Sequence, residues 1–156
     1  LAEGPGRILL GSELWSEVDI QIGAHWEAGT SLALLGWLHG GEWVELTART
    51  GGVELRKAAG GESVVLAEAP AEELGDGWHR LGLILTGGRI SAQVDGRERL
   101  SYPMAGGRGC AGLRNDGSCA VFDDLTVHVR SRAEESPLAV KPVDAALVEI
   151  EQSLTQ

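Results

Sequence analysis

Aromatic side chains are scarce in this chain: one Phe, one Tyr and five Trp in 156 residues. A core must then be filled mainly by Val, Leu, Ile and Ala, and each tryptophan is worth following on its own. Cysteine is scarcer, with two residues, Cys110 and Cys119. Two are too few for a zinc site. Their spacing leaves open whether they form a bridge or stay as two buried thiols. No apolar run approaches the roughly 18 residues that cross a bilayer as a helix, so no membrane insertion is expected. Bases are outnumbered, 13 Lys and Arg against 23 Asp and Glu, for a formal net charge of −10. A phosphate-binding surface needs clustered cations, and the arginines here are scattered. That sets nucleic acid aside as a partner, and anionic membrane surfaces with it. Neither a Gly-x-Ser-x-Gly elbow nor a His-Glu-x-x-His motif occurs. The chain starts at Leu1 without an initiator Met or a signal peptide, which reads as a mature or excised piece of a longer protein.

What the chain has in abundance is glycine, 23 residues, many in pairs: Gly40-Gly41, Gly51-Gly52, Gly60-Gly61, Gly87-Gly88 and Gly106-Gly107. Paired glycines punctuate turns. Between them runs period-2 alternation. Trp15, Val18, Ile20 and Ile22 are interleaved with Glu17, Asp19 and Gln21. The segment 31–40 is almost wholly apolar and reads as a central strand. In 42–49, Trp43, Glu45, Thr47 and Arg49 share one face, and Val44, Leu46 and Ala48 the other. In 78–87, Trp78, Arg80, Gly82 and Ile84 oppose His79, Leu81, Leu83 and Leu85. Segments 89–96 and 97–102 form a hairpin across Asp95-Gly96, a type I′ signal. Further strands are read at 7–10, 53–57, 63–69, 110–114 and 120–129. Ten or eleven short strands without a 3.6-residue stripe before residue 140 predict an all-β, two-sheet antiparallel sandwich of jelly-roll type over residues 1–130.

The end of the chain differs. Residues 131–142 are polar and proline-bearing and read as a linker. In 143–156, Val143, Leu147, Ile150 and Leu154 recur on one helix face, after Pro142. A short C-terminal amphipathic helix is expected there, packed on its own sandwich or on a neighbour, because so short a helix is marginal alone in water.

The order of four pieces resembles the concanavalin A-like jelly-roll superfamily, closest to its laminin-G-like and family 16 glycoside hydrolase-like domains. They are WSEVDIQI leading into SLALLGWL, then WVELTARTGGVELRKAAGG, then DGWHRLGLILTGGRISAQVDGRE, and last GCAGLRNDGSCAVFDDLTV. Together they span about three-quarters of the chain. Each is degenerate alone, and their order speaks to fold far more than to activity. The resemblance implies a structural Ca²⁺ near the closing strand, with Asp123 matching the family's metal-binding aspartate and Glu17 or Glu13 completing the site. The other reading of Asp123 and Asp124 is a solvated strand start, or a carboxylate accepting backbone N–H bonds.

For sugar recognition, the natural platform is a flat aromatic face with polar groups beside it. Trp26, Trp37 and Trp43, with His25, His39, Glu42, Glu45 and Arg49, are the candidates, and Trp43 on its polar strand face is the foremost. Core packing is the competing role for any Trp, most of all for Trp15 and Trp78, which open apolar strands. The hydrolases of the superfamily carry a Glu-x-Asp-x-x-Glu signature that is missing here; Glu17 and Asp19 are the nearest approach, on one strand face. The reading that results is a non-catalytic carbohydrate-binding or cell-surface adhesion module of a larger protein, extracellular or in the cell envelope. Its partner would be a glycan or a neighbouring protein domain. The alternatives are a structural assembly domain and, behind it, a glycoside hydrolase.

Overall fold

A computed structural model describes residues 2–3, 6–26, 31–75, 77–115 and 119–132, with side chains at these positions other than 2, 3, 6, 26, 119 and 120. Twelve strands make up the described chain: β1 (Ala2–Glu3), β2 (Gly6–Leu10), β3 (Trp15–Trp26), β4 (Ser31–His39), β5 (Glu42–Arg49), β6 (Gly51–Ala59), β7 (Glu62–Ala71), β8 (Trp78–Leu85), β9 (Arg89–Val94), β10 (Arg97–Pro103), β11 (Cys110–Asn115) and β12 (Cys119–Arg132). They form two six-stranded sheets, β1-β12-β3-β8-β9-β10 and β2-β11-β4-β5-β6-β7, and every neighbouring pair is antiparallel. The last strand runs to Arg132, two residues past the expected boundary. The rest of the expected linker and the C-terminal helix lie outside the described residues, as does the side chain of Cys119 and hence the pairing of the two cysteines.

Pleat alternation turns the sequence pattern into a core. Ile20 and Ile22 of β3, Leu32 and Leu34 of β4, Val44 and Leu46 of β5, Leu81, Leu83 and Leu85 of β8 and Ile90 of β9 point between the sheets and are almost fully buried. Burial of each is worth about 1.5–3 kcal/mol against exposure. At the Asp95-Gly96 turn, φ is positive at both residues, 52° and 83°, as a type I′ turn requires. Asp95 fixes that turn by accepting the Arg80 backbone N–H (2.9 Å) and pairing with His79 Nδ1 (2.9 Å).

Strand β12 departs from simple alternation. Phe122 and Val127 both pack inward although five positions separate them. The register to β3 slips between Asp123 and Thr126, and Asp124 takes a left-handed φ of 53°. A β-bulge at Asp124 and Leu125 therefore flips the phase of the strand and leaves both aspartates exposed. The same register keeps the residues of the expected calcium ligand set apart. Asp123 lies opposite Gly23, whereas Glu17 lies opposite Ser131. Six residues of β3 separate these points, roughly 20 Å along a strand. Glu17 is spent on the Gly87 backbone N–H (2.9 Å) and the Ser131 hydroxyl (3.2 Å), and Glu13 lies beside His39 instead. Asp123, Glu17 and Glu13 do not converge, and the described residues hold no group of three or more His, Cys, Asp or Glu suited to a metal.

Trp78 also corrects an expectation. It opens an apolar strand yet is 55% exposed, because its face of β8 is the outer one, shared with Arg80; its ring lies tilted against His25, 5.6 Å between centroids.

The crossover from β10 to β11 depends on Gly109. Its N–H donates to the Trp15 carbonyl (2.9 Å), and its φ is +151°. A Cβ there would sit 2.4 Å from the backbone of Trp37 and Leu38, which cannot retreat. Gly109→Ala is expected to cost about 2 kcal/mol or more and lower Tm by several degrees in a thermal melt; an unchanged Tm would show that this crossover tolerates displacement.

Candidate functional site

Strand alternation buries Val44, Leu46 and Ala48 of β5 and so sends Trp43, Glu45, Thr47 and Arg49 to the opposite, outer face of the sheet. On β6 the same rule buries Val53 and Leu55 and turns Glu54 and Arg56 outward. Register places Glu45 across from Arg56 and Thr47 across from Glu54. On the other flank, Leu35 and Ala33 of β4 stand beside Glu45 and Thr47, followed by Gly112 and Arg114 of β11. The result is a groove of about 310 Å³ whose wall runs from Trp43 through Glu45, Thr47 and Glu54 to Arg56 and Arg114.

Two carboxylates lie deep in this surface: Glu45 is 2% exposed and Glu54 4%. Buried charge is costly unless it is paired and hydrogen-bonded, and both are. Arg114 grips Glu45 with both terminal nitrogens, 2.9 Å to Oε1 and 2.8 Å to Oε2. Trp43 Nε1–H donates to the same Oε1 (2.9 Å), and the Thr47 hydroxyl donates to Oε2. Glu54 accepts from Arg49 and from Arg56 Nη1 (2.7 Å), and Arg56 Nε–H donates to the Ser63 hydroxyl (2.9 Å). Burial raises the Glu45 carboxyl, but the hydrogen bonds from Arg114, Thr47 and Trp43 and the Arg114 charge outweigh it and hold the group below the ordinary carboxylate range. The groove is thus a set of fixed donors and ionised acceptors beside one tryptophan. Trp43 is half-buried, its edge pinned by Glu45 and the Arg7 guanidinium 5.8 Å from its ring centroid.

A second cavity, about 510 Å³, adjoins the first and shares Trp43 as a wall. Trp37, His39 and Lys57 line it, with Met104, Gly107 and Arg108 of the β10–β11 crossover. Trp37 belongs to the core, not to an open platform. It is 6% exposed, its Nε1–H donates to the Ser16 carbonyl (2.6 Å), and Gly107 lies against its ring. Its left-handed φ of 52°, at the irregular end of β4, turns the ring into that position.

The candidate sugar-contacting residues therefore separate. Trp43, Glu45 and Arg49 share the groove, and Trp37, His39 and Glu42 join Trp43 at the second cavity. Trp26 and His25 stand on β3 in the opposite sheet, and the Trp26 side chain lies outside the described residues. Arg114, Glu54, Arg56 and Arg7 were not anticipated. Alternation in VELRK already sets Glu54 and Arg56 against Val53 and Leu55. No local signal brings Arg114 to Glu45, 69 positions away.

Glu45 generates a pH-dependent expectation. Its carboxyl titrates lower folded than unfolded, so its contribution is fully present above the unfolded value, about 4.3, and is lost as pH falls through the folded one. Glu45→Gln is expected to lose about 1–3 kcal/mol at neutral pH, since Arg114 keeps its charge without a counter-ion. It should also flatten the acid limb of a stability-versus-pH curve. A variant with the parent's acid limb would remove Glu45 as its source.

No protein-family model matches the chain, and no curated protein matches it. Solved structures do. A carbohydrate-binding module, CBM66 from Bacillus subtilis, is similar with a TM-score of 0.70 and 20% identity, over 82% of this chain and 84% of that one. Sheep galectin-11, in complex with glycerol, has a TM-score of 0.61 and 11% identity, over 82% of this chain and all of that one. Congerin II, liganded by lactose and MES, has a TM-score of 0.57 and 8% identity, over 79% of this chain and all of that one. At these identities the likeness is one of fold, and with the two antiparallel sheets it gives the chain the fold of a concanavalin-like jelly-roll sandwich.

Proposed function

We propose that the chain is a non-catalytic carbohydrate-binding module and that the outer face of the β2-β11-β4-β5-β6-β7 sheet is its binding surface. The observation that carries this reading is the groove itself: a half-exposed indole beside carboxylates and guanidinium groups already locked by one another. Sugar hydroxyls need donors and acceptors at fixed positions, and a sugar ring's apolar face needs a flat partner. Pre-paired charges supply the first without the entropic cost of ordering loose side chains on binding. The fold neighbours, a carbohydrate-binding module and lactose-liganded congerin II among them, support the same class of ligand.

A catalytic reading has less support. A glycosidase acid needs a carboxyl raised toward neutrality and a second carboxyl placed across the scissile bond. Glu45 is shifted the other way and saturated with donors. Glu17 and Asp19 on β3 are occupied by Gly87 and Ser131 and by Gln21 and Arg130 respectively. A module of this kind acts where glycans are displayed, so an extracellular or envelope setting, within a larger protein or an adhesion assembly, belongs to the same proposal.

The test is a glycan array on the purified chain followed by titration calorimetry with the best ligand. Trp43→Ala is expected to weaken binding by about 1–3 kcal/mol, roughly 5- to 150-fold. Tm should fall only slightly, because Arg114 and Thr47 still satisfy Glu45. Binding that survives Trp43→Ala unchanged would move the site off this face.

A further inference from the structure

The second cavity differs from the groove in one chemical respect. Among the described arginines, Arg49, Arg56, Arg89, Arg99, Arg114 and Arg130 each have a carboxylate within ion-pair distance. Lys57 and Arg108 have none among the described residues; Arg7, Arg80 and Arg97 also have none, but Lys57 and Arg108 are the two that line this cavity together. In a chain with ten more acidic than basic residues, this concavity holds two cations whose charged heads are not taken up by a carboxylate. Only Glu42 among the lining residues carries the opposite charge, and it lies beyond ion-pair distance of both.

His39 stands between Arg108 and Glu13: Arg108 Nη2 lies 3.4 Å from its Nε2, and Glu13 Oε2 lies 3.7 Å from its buried Nδ1. Trp37, Trp43 and Met104 provide the apolar remainder of the lining. Trp43 is a wall of both cavities, with the groove on the outer face and Lys57 on the Val44 side of β6, at the rim of the sandwich.

We infer that the second cavity takes an anionic group of the glycan, a carboxylate or a sulfate ester, held by Lys57 and Arg108. The inference rests on the carbohydrate reading of the groove and adds the charge class of the ligand. The chain's overall negative charge does not oppose it at contact range. Charges farther than about 8 Å are largely screened at physiological ionic strength, whereas an ion pair at the cavity wall is not. A guanidinium suits either oxyanion, which it can meet with two parallel N–H bonds.

Calorimetry with matched pairs tests this: oligogalacturonate against its methyl ester, and sulfated lactose against lactose. The expected result is at least a tenfold preference for one of the charged members, which shrinks as NaCl is raised; which pair shows it tells carboxylate from sulfate. Lys57→Gln with Arg108→Gln should abolish that preference and leave the affinity for the neutral member as it was. Arg108→Lys, which keeps the charge, should restore part of it. Trp43→Ala should instead weaken both members of a pair. If neutral and charged members bind alike and the double variant changes nothing, the charge assignment is overturned while the carbohydrate reading stands. If no carbohydrate binds the parent chain at all, the carbohydrate reading fails and this inference falls with it.

Discussion

The bidentate grip of Arg114 on Glu45 is the contact on which the proposed binding face depends. It reaches from β11 over β4 to β5, so it ties together three strands that the backbone ladder joins only pairwise. A carboxylate this deep would not stay ionised unaided. Once ionised by Arg114, Glu45 can hold the Trp43 indole by its N–H and the Thr47 hydroxyl by its proton. Trp43 in turn separates the groove from the second cavity. One ion pair thus sets the position of the aromatic wall, the protonation state of the floor and the boundary between two concavities of different charge.

The opposite sheet presents a different kind of surface. Its outer face carries Asp19, Gln21, Arg80 and Thr126 in a chain of hydrogen bonds that cross between strands, with Trp78 and His25 at one end. The two outer faces of the sandwich therefore differ, one crossed by a ladder of side-chain hydrogen bonds and the other by a charge-locked groove, although both rest on the same aliphatic core.

Much of the architecture was legible because period 2 is a strong signal when the core is aliphatic. Val44, Leu46 and Ala48 against Trp43, Glu45 and Thr47 told which side of β5 would face out, and Asp95-Gly96 told where a hairpin would close. What stayed hidden was of two kinds. The first was phase: FDDLTVHV looks like a single alternating strand, yet Phe122 and Val127 are an odd number of residues apart and both turn inward, which only the bulge at Asp124 allows. The second was adjacency: Arg114 meets Glu45, and Glu17 is carried away from Asp123, through strand order and register, neither of which is written locally. The tryptophans divide along the same line. Trp43 was correctly placed by its strand face, while Trp37 was drawn into the core by a left-handed backbone turn, and Trp78, expected inside, follows its alternation outward.

The glycine turns have a consequence for how such a surface could change over time. Gly40-Gly41 and Gly60-Gly61 close the β4–β5 and β6–β7 hairpins in two residues each, at the end of the sheet where Trp43 and the second cavity lie. These two turns leave no long loop beside the groove to lengthen, shorten or reshape, unlike the recognition loops of an immunoglobulin-type domain; the β10–β11 crossover lines only the second cavity. New preferences in the groove would have to be written by exchanging single side chains at fixed lattice points of the sheet, Arg56 and Ser63 among them, with Glu45 and Arg114 left in place as the scaffold. The face is closer to a keyboard with interchangeable keys than to a hand that can regrip.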